Sequence, residues 1–298
     1  MANLKALKGR IKSVKSTQKI TKAMKMVAAS RLKKARHAVE DSTPYAQKIQ
    51  ELIGNLAPTS VEDSSSSDFP LLVGNGKSDT YLLLVISSDR GLCGSLNTNV
   101  VKMAKKRIAE LTAQGKKVKI FCVGKKAYDQ LKGPYKNLIV SYKAGVFKKN
   151  VDFVAAKAVV AEVVELFDKS EFDICETIFS KFKSAISQET INKTIIPAAA
   201  CNFAKPASDF AAVESPIEYE PSKKEILLVL LPKNLEVQIF HQLLESSASE
   251  QGARMSAMES ATNNASKMMK NLTLVYNRTR QANITRELID IISGSNVA

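Results

Sequence analysis

Two histidines, His37 and His241, are all the imidazole in this chain of 298 residues, and both fall in stretches of helical spacing. A Ser-His-Asp triad or a histidine-based metal centre therefore has almost no material, and neither a catalytic residue nor a metal ligand is assigned. Gly74-Asn75-Gly76-Lys77-Ser78 imitates the end of a phosphate-binding loop. A true one needs glycine where Leu71 stands, and it follows a strand and opens a helix, whereas this segment precedes the first predicted strand. The turn Ser88-Asp89-Arg90-Gly91-Leu92-Cys93-Gly94-Ser95-Leu96-Asn97 lacks the G-x-G-x-x-G spacing of a dinucleotide site, so Gly91 and Gly94 read as turn and packing residues and no cofactor is assigned. Cys93, Cys122, Cys175 and Cys201 are widely spaced without a C-x-x-C pair and read as reduced packing thiols. Glu250 with Arg254, and Glu287 with Asp290, have the spacing of ordinary pairs on a helix surface.

The charge is more telling than any of these motifs. The net charge is +15, and from Lys5 to Arg36 there are twelve Lys or Arg and no acid, the first being Glu40. Such a block needs counter-charge from solvent ions, nucleic acid, acidic lipid or an acidic partner. A hydrophobic content of 45% is enough for an ordinary buried core and excludes a disordered chain. No run reaches the roughly 18 apolar residues of a membrane span, so any membrane role is expected to be peripheral. The opening residues lack the apolar stretch of a signal peptide, and the helical beat begins at Leu4.

The elements that would position all this fall into three parts. Stepping three and four residues alternately from Leu4 gives Leu7, Ile11, Val14, Gln18, Thr21, Lys25, Ala28, Leu32, Ala35 and Val39, a coiled-coil seam with a polar and small-residue gap. Pro44 is expected to start a new turn or kink the helix, and the segment is expected to end near Ala57 and Pro58, giving a first helical region over 1–57. Residues 58–79, with an unbroken serine run from Ser64 to Ser67, read as a linker. Residues 80–220 alternate strands (Tyr81–Ser87, Lys117–Val123, Leu138–Tyr142, Ile174–Phe182) with helices (Asn97–Gln114, Lys125–Leu131, Asp152–Asp168). That pattern predicts an α/β domain of Rossmann-like architecture with a parallel or mixed sheet covered on both faces. Ile191–Tyr219 resists assignment because Pro197, Pro206 and Pro216 interrupt it.

Residues 221–298 return to helix, with Pro221 and Ser222 opening a run through Leu231 and Pro232 at a helix start. From Val237 the beat gives Phe240, Leu244, Ser247, Gln251, Arg254, Met258, Ala261, Ala265, Met268, Leu272, Val275, Thr279, Ala282, Arg286 and Ile289. At about 1.5 Å per residue, Asn234–Ile292 would be roughly 90 Å long, more than a globular domain of this size can cover. The two ends together predict a paired-helix rod. Ser247, Gln251 and Arg254 interrupt its seam, either as a register device or as residues that face another partner.

Several segments carry a resemblance. "LKGRIKSVKSTQKITKAMKMVAASRL", "SSDRGLCGSLN", "LLESSASEQGARMSAMESATNNA" and "LVYNRTRQANITRELIDIISG" resemble, in colinear order from Ala2 to Val297, the gamma subunits of F-type ATP synthases, the central rotor shaft of that complex. The chain departs from the family pattern at Ser95, where a second glycine is usual, at Gly252, where alanine is usual, and at Ser295-Asn296. The resemblance implies an antiparallel, left-handed coiled coil standing inside a ring of alternating alpha and beta subunits. It implies a middle domain set against an epsilon-type subunit and the membrane ring of c subunits, with one copy per complex and no nucleotide chemistry in this chain. It also implies that Arg280, Gln281 and Thr285 contact the catch loop of a catalytic subunit, and that Glu250 and Arg254, with Met24 and Lys25 facing them, are further contacts. A start without a presequence suggests the cytoplasmic face of a bacterial inner membrane; the matrix side of a mitochondrial inner membrane is the alternative.

Two other readings are weaker. A basic region running into heptads suggests a nucleic-acid-binding zipper, but there the basic block precedes the zipper, whereas here it shares the same positions and its partner helix lies at the other end of the chain. A nucleotide-dependent enzyme on the middle domain would need the phosphate-binding motifs that the chain lacks.

Overall fold

The computed structural model describes residues 4–63, 69–147, 151–198, 220 and 222–295. The serine run Ser64–Ser67, Cys201, Pro206, Pro216, Pro221 and Asn296 lie outside them. Its elements in chain order are helix α1 (Leu4–Asp63), a short α2 (Pro70–Val73), strand β1 (Thr80–Ile86), α3 (Leu96–Ala113), β2 (Lys117–Val123), α4 (Lys125–Leu131), a 3-10 turn (Lys136–Leu138), β3 (Ile139–Lys143), α5 (Phe153–Asp168), β4 (Ile174–Phe182), β5 (Gln188–Ile196) and α6 (Lys223–Ser295).

The chain divides into two compact units, one of residues 1–30 with 254–298 and the other of residues 31–253. The larger unit is built on a five-stranded sheet of order β3-β2-β1-β4-β5, in which β1 to β4 run parallel and β5 is antiparallel to β4. β1 reads TYLLLVI, and its residues from Leu82 to Ile86 are buried, as a central parallel strand covered on both faces requires. One face packs against α3 and α4, where Val100, Ala104, Ile108 and Leu111 recur at helical spacing above Val85 and Ile120. The other packs against Val159 and Val163 of α5 and against Leu235, Ile239 and Leu243 of α6. A third cluster joins Ile49, Ile53 and Leu56 of α1 to Leu227 and Leu231 of α6 over Phe69 and Leu72. The sheet unit therefore draws its core from both terminal helices and is not confined to 80–220.

Three expectations change. α1 continues past Pro44 and Pro58 to Asp63, so neither proline ends it, and the linker expected from residue 58 gives way to helix as far as 63. Pro232 lies inside α6, not at a start. A proline removes one intrahelical hydrogen bond, and in these long helices that loss breaks neither ladder. The segment that resisted assignment opens inside β5, whose residues are exposed or partly buried until Ile195 and Ile196, the signature of an edge strand and not of a core run. Gly252, where the family pattern has alanine, is a packing position, since a Cβ there would lie 3.3 Å from Phe182 and 3.4 Å from Ala185.

The smaller unit pairs two helical segments. Gln18 Nε2 donates to Ser266 Oγ at 2.7 Å, Thr21 and Thr262 share a hydroxyl hydrogen bond of 2.7 Å, and Lys25 Nζ reaches Glu259 Oε1 at 2.5 Å. As one residue number rises the other falls by nearly the same amount, so the pair is antiparallel. The α1 side of the seam follows the expected beat, with Leu7, Thr21 and Ala28 buried. On α6 one half of the beat moves by one residue. Met258, Ala265, Leu272 and Thr279 face inward as expected, but Met269 and Tyr276 take the alternate positions, leaving Met268 and Val275 54% and 48% exposed.

Candidate functional site

The residues expected to contact partners fall into three groups. Met24 and Lys25 sit half-buried on α1 in the smaller unit, and Lys25 is already ion-paired with Glu259. Both side chains of that pair are substantially exposed, so it is worth at most about 1 kcal/mol. With the two hydrogen bonds above it forms a polar ladder in the gap of the beat. The sequence marked the gap at Gln18, Thr21 and Lys25 but not the α6 partners, because the beat placed Ala261 rather than Thr262 at the seam.

Glu250 and Arg254 are 3% and 8% exposed. Each is buried within its own chain. Beside Glu250, Ser249 Oγ donates to the Ser180 carbonyl at 3.0 Å and Gly252 lies against Phe182 at the end of β4 and Ala185 of the β4–β5 turn.

Arg280, Gln281 and Thr285 are exposed on α6. The antiparallel register explains why. Gln18 opposite Ser266 and Thr21 opposite Thr262 place Leu4, the first described residue of α1, level with residue 280. From there to Ser295, α6 has no partner helix among the described residues, a length of roughly 20 Å. It nevertheless carries large apolar side chains: Ile284, Leu288, Ile289, Ile291 and Ile292 are each about half exposed or more. An apolar, partnerless helix end with Arg280 at its root is the surface of this unit that most lacks a covering. Arg280 presents a planar fork suited to a carboxylate, and the Gln281 amide adds a neutral donor and acceptor. The Thr285 hydroxyl spends its proton on the Gln281 carbonyl at 3.0 Å and is left as an acceptor.

At the carboxyl ends of the parallel strands, the turn after β1 is occupied by its own chain. Asp89 accepts the backbone N–H groups of Lys125, Gly145 and Phe147 at 3.0–3.1 Å, tying the loops after β1, β2 and β3 together. Ser88, Cys93 and Asn97 close a buried network beneath it. This agrees with reading the glycines there as turn residues, and Gly94 takes a positive φ of 59°. Cys93, Cys122 and Cys175 are free and buried; burial pushes the Cys122 thiol up to about 12 and holds Cys175 well above its ordinary value. Both stay as unreactive thiols.

The comparisons with known proteins bear on the whole chain. The family model described as ATP synthase matches residues 3–297. A protein of Azorhizobium caulinodans named ATP synthase gamma chain is 49% identical over 296 residues, covering 99% of each chain. Another of that name from Rhodospirillum rubrum is 46% identical over 298 residues, again with 99% of each covered. Among solved structures, the central stalk and c-ring of the Tetrahymena thermophila mitochondrial ATP synthase contains a chain 29% identical, matching 81% of this chain and 99% of its own with a TM-score of 0.59. A chain of the Euglena gracilis mitochondrial ATP synthase, 20% identical with a TM-score of 0.68 over 99% of this chain and 94% of its own, shares the fold. With its terminal helices, its central sheet and near-half identity along its full length to named relatives, the chain belongs to the family of ATP synthase gamma chains.

Proposed function

We propose that this chain is the central-stalk rotor of an F-type ATP synthase, turning with a membrane c-subunit ring and imposing its orientation on a surrounding hexamer of alpha and beta subunits. The observation that carries the reading is the apolar end of α6, which has no partner helix among the described residues, with exposed Arg280, Gln281 and Thr285 at its root. It is a bearing surface without a bearing.

The mechanism follows from symmetry. Two antiparallel helices of different sequence have no threefold axis, so at any angle three equivalent catalytic sites meet three different faces. One face carries the lysines and arginines of α1, another the apolar tip of α6. A shaft that contacted all site conformations equally would shift none of them, so the coupling is the difference in contact free energy between conformations. Each 1.4 kcal/mol of that difference changes a site's preference about tenfold. Arg280 supplies such a difference through a charge-assisted fork made in one orientation and lost in the next, with Gln281 and Thr285 adding weaker hydrogen bonds. Met24 and Lys25 contribute from α1. Glu250 and Arg254 act from buried positions, by holding the helix beside them in place.

In this reading the chain performs no nucleotide chemistry. It works as one copy per complex, with an epsilon-type subunit and the c-ring against the sheet unit. It is peripheral to the cytoplasmic face of a bacterial inner membrane, and no helix among the described residues is long and apolar enough to cross a membrane. No role in nucleic-acid binding is assigned; the basic block of α1 faces the stalk's protein surroundings. Mixing the purified chain with alpha and beta subunits tests this directly. A stable complex and altered ATP hydrolysis are expected, and Arg280→Ala is expected to weaken assembly or coupling while isolated beta subunits bind nucleotide as before. If both assembly and hydrolysis ignore the chain, the reading fails.

A further inference from the structure

Within the unit of residues 31–253, a cleft of about 380 Å³ opens between α1, α6 and the β4–β5 pair. Its floor is the cross-strand pair Phe179 and Ile191. Lys181 and Lys193 stand two residues along from these on the same face, because side chains alternate along a strand. In the antiparallel register Lys181 lies opposite Glu189 and Lys193 opposite Thr177, so the two lysines flank the apolar pair from opposite ends. Neither ammonium is in a salt bridge among the described residues; Glu189 pairs with Lys183 instead. Both lysines act on the cleft's other titratable groups. Burial, then Lys193 and Lys181, lower the pKa of His241, while burial raises that of Glu245 against the pull of the same two lysines.

The opposite wall is unusual. Gln238 and Gln242, one turn apart on α6, are 4% and 3% exposed, and the nitrogen and oxygen of both amides have no hydrogen-bond partner among the described residues. Buried polar groups are normally satisfied, and each exception requires an explanation. Here two exceptions share one wall of a cavity large enough for a small ligand. From α1, the Thr43 hydroxyl lies 3.3 Å from His241 Nε2, so the third wall is polar as well.

Two ammonium groups unpaired among the described residues and two amide N–H₂ groups, set against two amide oxygens, leave donors in excess around one space. Glu245 is the only acid lining it. Donors in excess from two sides suit a tetrahedral anion with several acceptor oxygens better than a cation or an apolar molecule. We infer that this cleft binds a small phosphate-class oxyanion, held between Lys181 and Lys193 and hydrogen-bonded by the side-chain amides of Gln238 and Gln242. Inorganic phosphate and the phosphoryl end of a nucleotide present the same chemistry.

Titration calorimetry of the full-length chain with inorganic phosphate, and separately with ADP, tests the assignment. Saturable phosphate binding is expected, and K181Q/K193Q should weaken it at least about tenfold. Q238L/Q242L should weaken binding comparably without lowering the melting temperature, because it removes amides that make no hydrogen bond to the described residues. This second variant separates loss of a site from loss of the fold. K119Q, which removes a lysine paired elsewhere with Glu171, should leave binding unchanged. ADP binding more tightly than phosphate and failing in the same variants identifies the nucleotide as the source; ADP binding no more tightly identifies free phosphate. The inference is overturned if neither ligand binds saturably, as when the cleft belongs to a partner polypeptide. It is also overturned if both double variants keep affinity within about twofold of the parent.

Discussion

Arg107→Ala should destabilise the sheet unit by about 3 kcal/mol, and the structure shows where that figure comes from. Arg107 on α3 donates from Nε and Nη2 to the two oxygens of Glu176 on β4, at 2.8 and 2.6 Å. Glu176 is 3% exposed, and among the described residues its other hydrogen-bond donor is Asn192 Nδ2 on β5, at 2.6 Å. Truncating the arginine leaves a buried carboxylate with one neutral hydrogen bond. Breaking such a pair costs about 3–5 kcal/mol. The Arg107 side chain is 25% exposed, so water can reach the vacated space, which favours the lower end of that range. Loss of the guanidinium from its place 5.9 Å above the Tyr81 ring adds a smaller penalty, about 0.5 kcal/mol. Hydrogen bonding to Glu176 holds the guanidinium above its ordinary pKa, so its half of the pair stays charged across the working pH range. Urea unfolding should show the midpoint falling by about 1 M with little change in slope. R107A/E176L, which removes the orphaned charge as well, should recover part of the loss. A loss below about 0.5 kcal/mol for R107A, or a double variant less stable than R107A, would refute the reasoning.

Three further outcomes are expected. Gly124→Ala should be among the most damaging single changes, because φ there is 97° and a Cβ would stand 2.0 Å from the Ser87 carbonyl oxygen; a cost of about 3 kcal/mol or more should appear as a melting temperature lower by roughly 6–12 °C, and an unchanged one would show that the turn can yield. Cys93, Cys122 and Cys175 should resist alkylation in the native chain at neutral pH and react once it unfolds, as mass spectrometry of the labelled peptides would report; rapid native labelling of Cys122 would contradict its burial. Burial and two nearby lysines lower the His241 pKa, so the stability it contributes is intact above its unfolded value of about 6.5 and is lost as pH falls below that, because the unfolded chain accepts a proton that the native cleft resists. His241→Gln should flatten the dependence of unfolding free energy on pH between about 7 and 5, and an unaltered slope would remove His241 as its source.

Much of the fold was legible because it rests on local pattern. An unbroken apolar run located β1, and Lys117–Val123, Lys125–Leu131 and Ile174–Phe182 coincide with β2, α4 and β4 residue for residue. β5 was not legible, since an edge strand paired on one side carries polar residues such as Asn192 and Lys193 amid its apolar ones, and its pairing with β4 is a tertiary fact. The prolines misled for a related reason. A local rule kinks or restarts the helix at Pro44, ends it at Pro58 and starts one at Pro232, but the packing of α1 against α6 through Ile53, Leu56 and Leu231 outweighs one missing hydrogen bond. On the seam, the choice between Ala261 and Thr262 depends on where Thr21 sits across the interface, which a single-helix beat cannot know. The exposure of Arg280, Gln281 and Thr285 follows from α1 running out opposite them, whereas the burial of Glu250 reflects neighbours brought in from distant sequence.

The central claim is that the chain turns inside its housing, and direct observation of rotation tests it most simply. With an alpha–beta hexamer fixed to a surface and a probe attached to an exposed engineered cysteine in the sheet unit, for example at Ile186, ATP should drive one-directional rotation in thirds of a turn. A probe that stays fixed, or only diffuses, while the assembled hexamer hydrolyses ATP would contradict the account.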